Sequence, residues 1–339
     1  MFNPKRVFIE RDALKYEMGE RLYHHFQDSN TEVHLLESHN RVSGKPGDTP
    51  FETYDEAKRT LVIGVRKTWA FSTCKPSAHY QLPLVTSCIG RCEYCYLNTQ
   101  LGSKPYIRIY VNIDEILERA EEYIEERKSE ITLFEAAATS DPLPVEGYTH
   151  ALEKSIVFFA GQEYGRLRFV TKFTDVEPLL SIKHNNHTTV RFSVNAEEVI
   201  QKYEHHTPSM QNRIRAAAKI AQVGYSMGFI IAPVILYDGW KEGYINLLQE
   251  IQAALPGDVP TPTFEVISHR FTSRAKSTIL RIFPDSTVPM DEEKRKFKYG
   301  QFGYGKYVYP DDEMSRIKEF FQENILQRMF PQAEVLYII

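Results

Sequence analysis

The feature that most limits the folds open to this chain is a regular alternation of strand-like and helix-like segments after residue 81. Buried-strand patterns fall at 131–138, 167–173, 189–194, 229–236 and 263–268, with helical spacing between them at 113–124, 148–159, 212–223 and 244–255. With the strand that leads into a cysteine-rich loop, strand and helix alternate about six times. Such alternation predicts a parallel sheet with right-handed crossovers. Because six units are too few to close an eight-stranded barrel, the expected fold is a partial (β/α)6 barrel.

Two further segments are expected to flank this alternation. Residues 1–80 are predicted to form an N-terminal α/β extension, 81–285 the partial barrel, and 286–339 a C-terminal basic aromatic β-hairpin with a terminal helix. In the extension, 5–10, 32–36 and 60–65 have strand patterns, and 14–26 has helical spacing. The predicted class is therefore α/β, with one large domain and appendages.

Three cysteines, Cys88, Cys92 and Cys95, stand on one short loop at Cys-x-x-x-Cys-x-x-Cys spacing. Three close thiolates can hold three irons of a cubane 4Fe–4S cluster and leave the fourth iron open for chemistry. The alternative is a structural zinc site, which needs four closed ligands and usually pairs of cysteines. Only Cys74 or His79 could complete such a site locally, so the spacing favours the cluster.

Composition excludes some functions. The formal net charge of −4 gives no global attraction to nucleic acid, so such binding needs a local basic patch. The longest apolar run, 228–236, is too short to span a bilayer, and the first residues lack the apolar core of a signal peptide. Four cysteines, three of them in one loop, suit a reducing compartment. These features predict a cytoplasmic protein with no membrane role.

A local basic patch does occur at 294–309, which interleaves five cations with six aromatic residues and contains no acid. This pattern predicts a β-hairpin with cations for phosphates and rings for unstacked bases. The predicted contacts are Arg270, Arg274, Lys298, Tyr299, Tyr304, Lys306 and Tyr307. The alternative is a solvated basic hairpin that its own tyrosines pack.

Polar residues follow several predicted strands, at the edge where active residues of such barrels lie. Ser140, Lys172, Ser193 and Asn195 are candidates to bind a zwitterionic amino acid and a ribose. A single serine or asparagine at a strand end is more often a turn or cap residue, so each residue is weak evidence alone.

Four motifs together resemble the spore photoproduct lyase family of radical S-adenosylmethionine (SAM) enzymes. They are Ser-Cys-Ile-Gly-Arg-Cys-Glu-Tyr-Cys-Tyr-Leu at 87–97, Lys-Pro-Ser at 75–77, Phe-Glu-Ala-Ala-x-Thr-Ser-Asp at 134–141 and Gln-Phe-Gly-Tyr-Gly at 301–305. The resemblance runs over nearly the whole chain. It implies a DNA repair lyase that uses a 4Fe–4S cluster and SAM to reverse 5-thyminyl-5,6-dihydrothymine to two thymines.

The same resemblance implies partners and a location. The partners are double-stranded DNA damaged by ultraviolet light and an electron donor such as a flavodoxin or ferredoxin, and the location is the cytoplasm of the spore core. SAM would lie near Ser140, Lys172, Ser193 and Asn195. Two alternatives remain open: a radical SAM enzyme that acts on RNA or a peptide, and a zinc-stabilised nucleic-acid-binding module without catalysis.

One position departs from the family pattern. The resemblance implies a cysteine thiol at the position of Ala138, which quenches the thymine radical left after bond cleavage. Alanine has no weakly bound hydrogen, so correct product formation is expected to be impaired while binding and initiation remain. Tyr94 and Tyr96 resemble tyrosines proposed to relay the radical back towards SAM. Their alternative role is to shield the cluster and pack its loop.

Overall fold

The computed structural model describes residues 2–29, 31–40, 42, 47–75, 77–102, 104–299, 303 and 305–339. The strands are β1 (Arg6–Glu10), β2 (Glu32–Leu36), β3 (Thr60–Gly64), β4 (Thr73–Cys74), β5 (Ala78–Gln81), β6 (Val85–Thr86), β7 (Arg91–Cys92), β8 (Ile107–Tyr110), β9 (Thr132–Glu135), β10 (Gly165–Thr171), β11 (Thr188–Val194), β12 (Glu204–His205), β13 (Ser226–Val234), β14 (Thr263–Ser268), β15 (Lys296–Tyr299), β16 (Gly305–Val308) and β17 (Glu334–Ile338).

The α-helices are α1 (Glu17–Gln27), α2 (Pro50–Lys58), α3 (Leu97–Gln100), α4 (Ile113–Glu126), α5 (Glu146–Thr149), α6 (Ala151–Ala160), α7 (Glu197–Tyr203), α8 (Met210–Gln222), α9 (Trp240–Ala254), α10 (Ser273–Ile282) and α11 (Asp311–Gln322). Short 3-10 helices lie at Arg11–Lys15, Leu143–Val145 and Glu177–Leu179, and a π-helix lies at Glu323–Met329. In the part of the chain that is described, no helix is long and apolar enough to cross a membrane.

The chain divides into two compact units. The first contains Met1–Ile89, Leu101–Thr171 and Asp175–Thr189, and the second contains Gly90–Gln100, Lys172–Thr174 and Val190–Ile339. This division does not follow the predicted bounds at residues 80 and 285. The first unit's N-terminal sheet, in the order β2-β1-β3-β8-β6, includes two strands from beyond residue 80. All five residues of β3 are buried, which is typical of an inner strand of a parallel sheet covered on both faces. It pairs in parallel with β1 on one edge and β8 on the other.

The first unit also contains the early strands of the predicted barrel. Parallel pairs join β5 to β9 and β9 to β10, and β4 pairs antiparallel with β5. The predicted strand 131–138 is shorter than expected, since β9 ends at Glu135 and a turn follows. That turn carries Ala138 and Ser140 at the carboxyl end of the strand, where the sequence places them.

The second unit contains the later barrel strands. Parallel pairs join β13 to β14 and β14 to β17. The alternation of the sequence predicts β11, β13 and β14 but not β17. The residues of β17 are half-buried or exposed, so this strand has no buried apolar run to mark it.

Candidate active site

The cysteine loop begins at a left-handed turn in the first unit. Ser87 has a φ of 73°, in the region that few residues other than glycine adopt. Its N–H donates to the carbonyl of Thr139 at 2.9 Å, and its hydroxyl donates to the carbonyl of Pro105 at 2.9 Å. The carbonyl of Cys88 accepts a hydrogen bond of 2.6 Å from the Lys58 ammonium. These bonds fix the backbone on both sides of the Ser87–Cys88 peptide.

Lys58 is a site residue that sequence reasoning missed. It is only 2% exposed, and its ammonium lies 5.5 Å from the centre of the Tyr54 ring. A buried cation is costly unless negative charge lies near it. Thiolates on the cysteine loop would supply that charge. Its position in the last turn of α2 gives no local signal of this role.

The second half of the loop is held within the second unit. Cys92 pairs with Glu204 in the antiparallel β7–β12 ladder, and the N–H of Glu93 donates to the carbonyl of Tyr203 at 2.9 Å. The side-chain amide of Asn98 donates to the carbonyl of Cys92 at 3.1 Å. The backbone around Cys92 is therefore bonded on both edges.

Glu204 is the centre of a buried charge cluster beside this loop. Its carboxylate accepts a short hydrogen bond from the Tyr94 hydroxyl and lies 2.9 Å from the Lys172 ammonium and 2.6 Å from the Arg213 guanidinium. Burial alone would raise the pKa of Glu204, but Lys172 and Arg213, with the hydrogen bonds from Tyr94 and Lys172, outweigh it and hold the pKa at about 2. Glu204 is therefore ionised, and sequence reasoning selected neither it nor Arg213.

A polar cavity of about 240 Å³ lies in the first unit at the carboxyl end of β9. Its walls include Ala138, Ser140, Ser72, Glu135 and Arg66. Ala138 is half-buried, and the Ser140 hydroxyl lies 3.5 Å from the carbonyl of Ala136. The structure therefore brings together the two candidates that the sequence placed on this turn.

The other three predicted SAM residues belong to the second unit, where protein groups already engage them. Lys172 binds Glu204, and the Ser193 carbonyl accepts a hydrogen bond of 3.1 Å from Arg213. Asn195 is fully buried, its amide N–H₂ donates to the carbonyl of Pro233, and its amide oxygen accepts from Tyr244. These contacts are those of the turn-residue alternative, and the roles of Lys172, Ser193 and Asn195 towards SAM stay predictions.

The predicted hairpin forms from β15 and β16, and it has two different faces. Lys298 lies opposite Lys306 in the register, with Lys296 on the same face. Phe297 lies opposite Tyr307 on the other face. Tyr299, beside Phe297, is 72% exposed. Tyr304 lies outside the described residues.

The ring of Tyr307 is used for packing. It stacks on Phe271 with centroids 5.2 Å apart and meets the edge of Phe297 at 5.3 Å. Backbone bonds of 2.7 and 3.1 Å also join Tyr307 to Phe271. The structure thus favours the packing alternative for Tyr307 and leaves Tyr299 as the exposed ring.

The cationic face of the hairpin lines a groove of about 380 Å³ in the second unit. Arg270, Lys298 and Lys306 contribute to its wall. Burial, together with the charges of Arg270 and Lys298, lowers the pKa of Lys306. Positive charge is therefore crowded here, which favours an anion such as phosphate. Arg274 is exposed in the first turn of α10.

The donor set of the cysteine loop fits an iron–sulfur cluster. Among the described residues there is no group of three or more His, Cys, Asp or Glu side chains that could hold a single ion. The cysteines of a cubane each bind a different iron, so they need not converge on one point. Three thiols in eight residues, with a buried lysine bonded to the loop, fit that group.

Comparison with known proteins gives the family of this chain. The family model for spore photoproduct lyase matches residues 2–339. The spore photoproduct lyase of Clostridium acetobutylicum is 52% identical, covering 99% of this chain and 98% of that protein. The one from Bacillus subtilis is 47% identical, again covering 99% of this chain and 98% of that protein.

Solved structures agree as well. A spore photoproduct lyase complexed with dinucleoside spore photoproduct superposes with a TM-score of 0.96 at 47% identity, covering 100% of this chain and 99% of that one. A double mutant with bound AdoMet and dinucleoside spore photoproduct also gives a TM-score of 0.96, at 48% identity and the same coverage. Mixed α/β structure with a curled half-barrel sheet is thereby confirmed.

Fold and cysteine loop together define a lyase of the radical SAM class. The chain belongs to the spore photoproduct lyase family. The predicted family and the predicted function, repair of the spore photoproduct in DNA, are therefore confirmed. The roles of the individual site residues stay predictions.

Proposed function

We propose that this chain repairs the spore photoproduct in double-stranded DNA damaged by ultraviolet light, with a 4Fe–4S cluster on Cys88, Cys92 and Cys95 and SAM on its open iron. The observation that carries this proposal is the hydrogen bond from Ser87 to Thr139. It joins the start of the cysteine loop to the turn that carries Ala138. When bound, the reduced cluster supplies the electron that splits SAM.

The remaining partners follow from the same proposal. SAM occupies the end of β9 near Ser140. One solved relative with the same fold has AdoMet bound, which supports SAM as the cofactor. The cationic groove and Tyr299 hold the damaged DNA. An electron donor such as a flavodoxin or ferredoxin reduces the cluster, and the reaction takes place in the spore core.

Ala138 cannot finish this reaction. Once the bond between the two thymines breaks, a thymine radical remains and needs a hydrogen atom. The methyl group of alanine holds its hydrogens too strongly to give one. Another group must act as donor, or abnormal thymine products accumulate as the sequence predicts.

We propose that Cys74 is that donor. The double mutant among the solved relatives replaces one cysteine by alanine and one serine by cysteine, and the two positions are the same number of residues apart as Ala138 and Cys74. Here Cys74 is half-buried and ends β4, two residues after Ser72, which lines the cavity with Ala138. The chain thus carries naturally the pair of residues that was engineered in the relative.

The termination step then balances. The S–H bond of Cys74 breaks, and its hydrogen atom joins the thymine radical to give intact thymine and a thiyl radical. The thiyl radical regains a hydrogen atom, through the tyrosine relay, from the methyl group of 5′-deoxyadenosine, the product of SAM cleavage. The 5′-deoxyadenosyl radical left by this transfer would rejoin the sulfur of methionine and return one electron to the bound cluster, which re-forms SAM for another cycle.

Substituting Cys74→Ser tests this step on a lesion dinucleotide. Formation of 5′-deoxyadenosine should persist, while the yield of intact thymine should fall about tenfold or more, since a positioned donor far exceeds dissolved thiols in effective concentration. Cys74→Ser with Ala138→Cys should restore intact thymine. Mass spectrometry of the products measures both.

Two other outcomes would overturn parts of the proposal. If the unsubstituted chain already gives abnormal products and Cys74→Ser changes nothing, Cys74 is not the donor and Ala138 does impair the enzyme. If lesion DNA elicits no 5′-deoxyadenosine from a chain that contains the cluster, the proposed function itself fails.

A further inference from the structure

We propose that residues 203–205 form a clamp that fixes the second half of the cysteine loop, and that Glu204 is the positioning residue at its centre. This inference rests on the proposed function for the identity of the cluster. Of the two tyrosines of the loop, Tyr94 belongs to the clamp.

Each residue of the clamp binds the loop. The Tyr203 carbonyl accepts the N–H of Glu93 at 2.9 Å. Glu204 lies opposite Cys92 in the β-ladder. His205 Nε2 lies 2.7 Å from Glu93 Oε1. Three successive residues thus bind the segment that contains Cys92, through backbone and side-chain contacts.

The Glu204 side chain adds a buried anchor to this ladder. Its side chain is fully buried, and it joins the Tyr94 hydroxyl to the ammonium of Lys172 and the guanidinium of Arg213. The Lys172 ammonium also lies 6.0 Å from the centre of the Tyr94 ring. A neutral residue here would leave two cations without their anion, which is strongly unfavourable in a buried site.

Arg213 prevents Glu204 from moving. Its guanidinium donates to the carbonyls of Ser193 at 3.1 Å and Pro208 at 2.9 Å, and to the Thr207 hydroxyl at 2.7 Å. These bonds tie the clamp to the start of α8 and the end of β11. The hydroxyl of Tyr94 therefore points at a carboxylate whose own position is fixed.

The two tyrosines of the loop differ for this reason. The hydroxyl hydrogen of Tyr94 is donated to Glu204, which holds this ring beside the loop. Tyr96, two residues later, is 53% exposed. Exposure leaves its ring accessible to a bound cofactor and substrate.

Tyr94→Phe and Glu204→Gln test the clamp through retention of the cluster. The rate at which a chelator bleaches the visible absorbance of the reconstituted protein should rise several-fold in each variant. The double variant should lose its cluster no faster than Glu204→Gln alone, because both changes break the same contact, the hydrogen bond between Tyr94 and Glu204. Tyr96→Phe should keep its cluster as the parent does but consume more SAM per lesion repaired.

Two controls keep the result interpretable. Glu198→Gln removes the same charge from the exposed Glu198–Lys202 pair and should leave cluster retention unchanged. Thermal unfolding of the cluster-free chain shows whether Glu204→Gln folds. If it does not, Tyr94→Phe, which removes only a hydroxyl, decides the matter.

The clamp is overturned if Tyr94→Phe keeps its cluster as long as the parent does. Additive losses in the double variant would also overturn it, since Tyr94 and Glu204 would then act separately. Failure of the parent chain to take up iron and sulfide would refute the proposed function instead, because the proposed function does not depend on the clamp.

Discussion

The cysteine loop and the basic hairpin are two regions to which the proposed function assigns different tasks, and they are built in opposite ways. Around the loop, Glu204 and Arg213 are fully buried and bonded to each other. On the hairpin, Phe297 is 50% exposed and Tyr299 is 72% exposed. One region uses its side chains inside the protein, and the other presents them to solvent.

This difference reflects what each region has to do. A metal cluster needs ligands at fixed distances, and buried paired charges give rigidity because moving either partner exposes an unpaired charge. A recognition surface must instead stay available until DNA arrives, and exposed charges contribute little to stability by themselves. Substitutions should therefore affect the loop through the cofactor and the hairpin through affinity.

The largest effect is expected at the loop. Alanine at Cys88, Cys92 or Cys95 should abolish the 4Fe–4S cluster, because each thiolate holds one iron. Cys74→Ala is the matched control, and it should leave iron and sulfide content unchanged after anaerobic reconstitution. Loss of the cluster in Cys74→Ala, or a native chain that contains zinc and no sulfide, would contradict the ligand assignment.

A smaller effect is expected at the exposed ring of the hairpin. Tyr299→Ala should lower the preference for lesion-containing over undamaged DNA by roughly fivefold or more, since stacking of a base on a ring contributes about 1–3 kcal/mol. Competition binding with the two DNAs measures this ratio. Tyr299→Phe keeps the ring and should keep the preference, and an equal loss on both DNAs would mean that Tyr299 does not read the lesion.

The smallest effect is expected from a single cation of the groove. Lys298→Ala should lower the affinity for lesion-containing and undamaged DNA alike. It should also reduce the slope of log affinity against log salt by about one, because one phosphate contact is lost. Lys241→Ala, an exposed cation on α9, is the control and should leave the slope unchanged. A Lys298→Ala slope that matches the parent would remove this lysine from the interface.

The loop and the hairpin could be predicted from sequence because their signals are local. Spacing within eight residues identifies Cys88, Cys92 and Cys95, and alternating cations and rings identify 294–309. The clamp could not be predicted, because Tyr94 and Glu204 are far apart in sequence and nothing local marks an ionised glutamate in β12. Asn195 shows why a strand end is a weak signal, since its amide already donates to the carbonyl of Pro233 and its role towards SAM stays a prediction.

The fold also has parts that the sequence predicts and parts that it does not. Periodicity predicts β11, β13 and β14, whose residues are mostly buried. It does not predict that β8 joins the N-terminal sheet, because strand pairing between distant segments is decided by which buried faces meet. Short or exposed strands such as β17 depend on a neighbour that is already in place.

The hairpin has a directional consequence for DNA. Tyr299 faces Gly305 across the ladder, and a Cβ on Gly305 would come within 2.1 Å of the Phe297 ring, so glycine is what allows Phe297, Tyr299 and Tyr307 to share one face. A ribbon with lysines on one side and rings on the other cannot be turned over without bringing rings to the phosphates. In the proposed complex such a ribbon offers DNA two chemically different sides, with charge for phosphates on one side and rings for unstacked bases on the other.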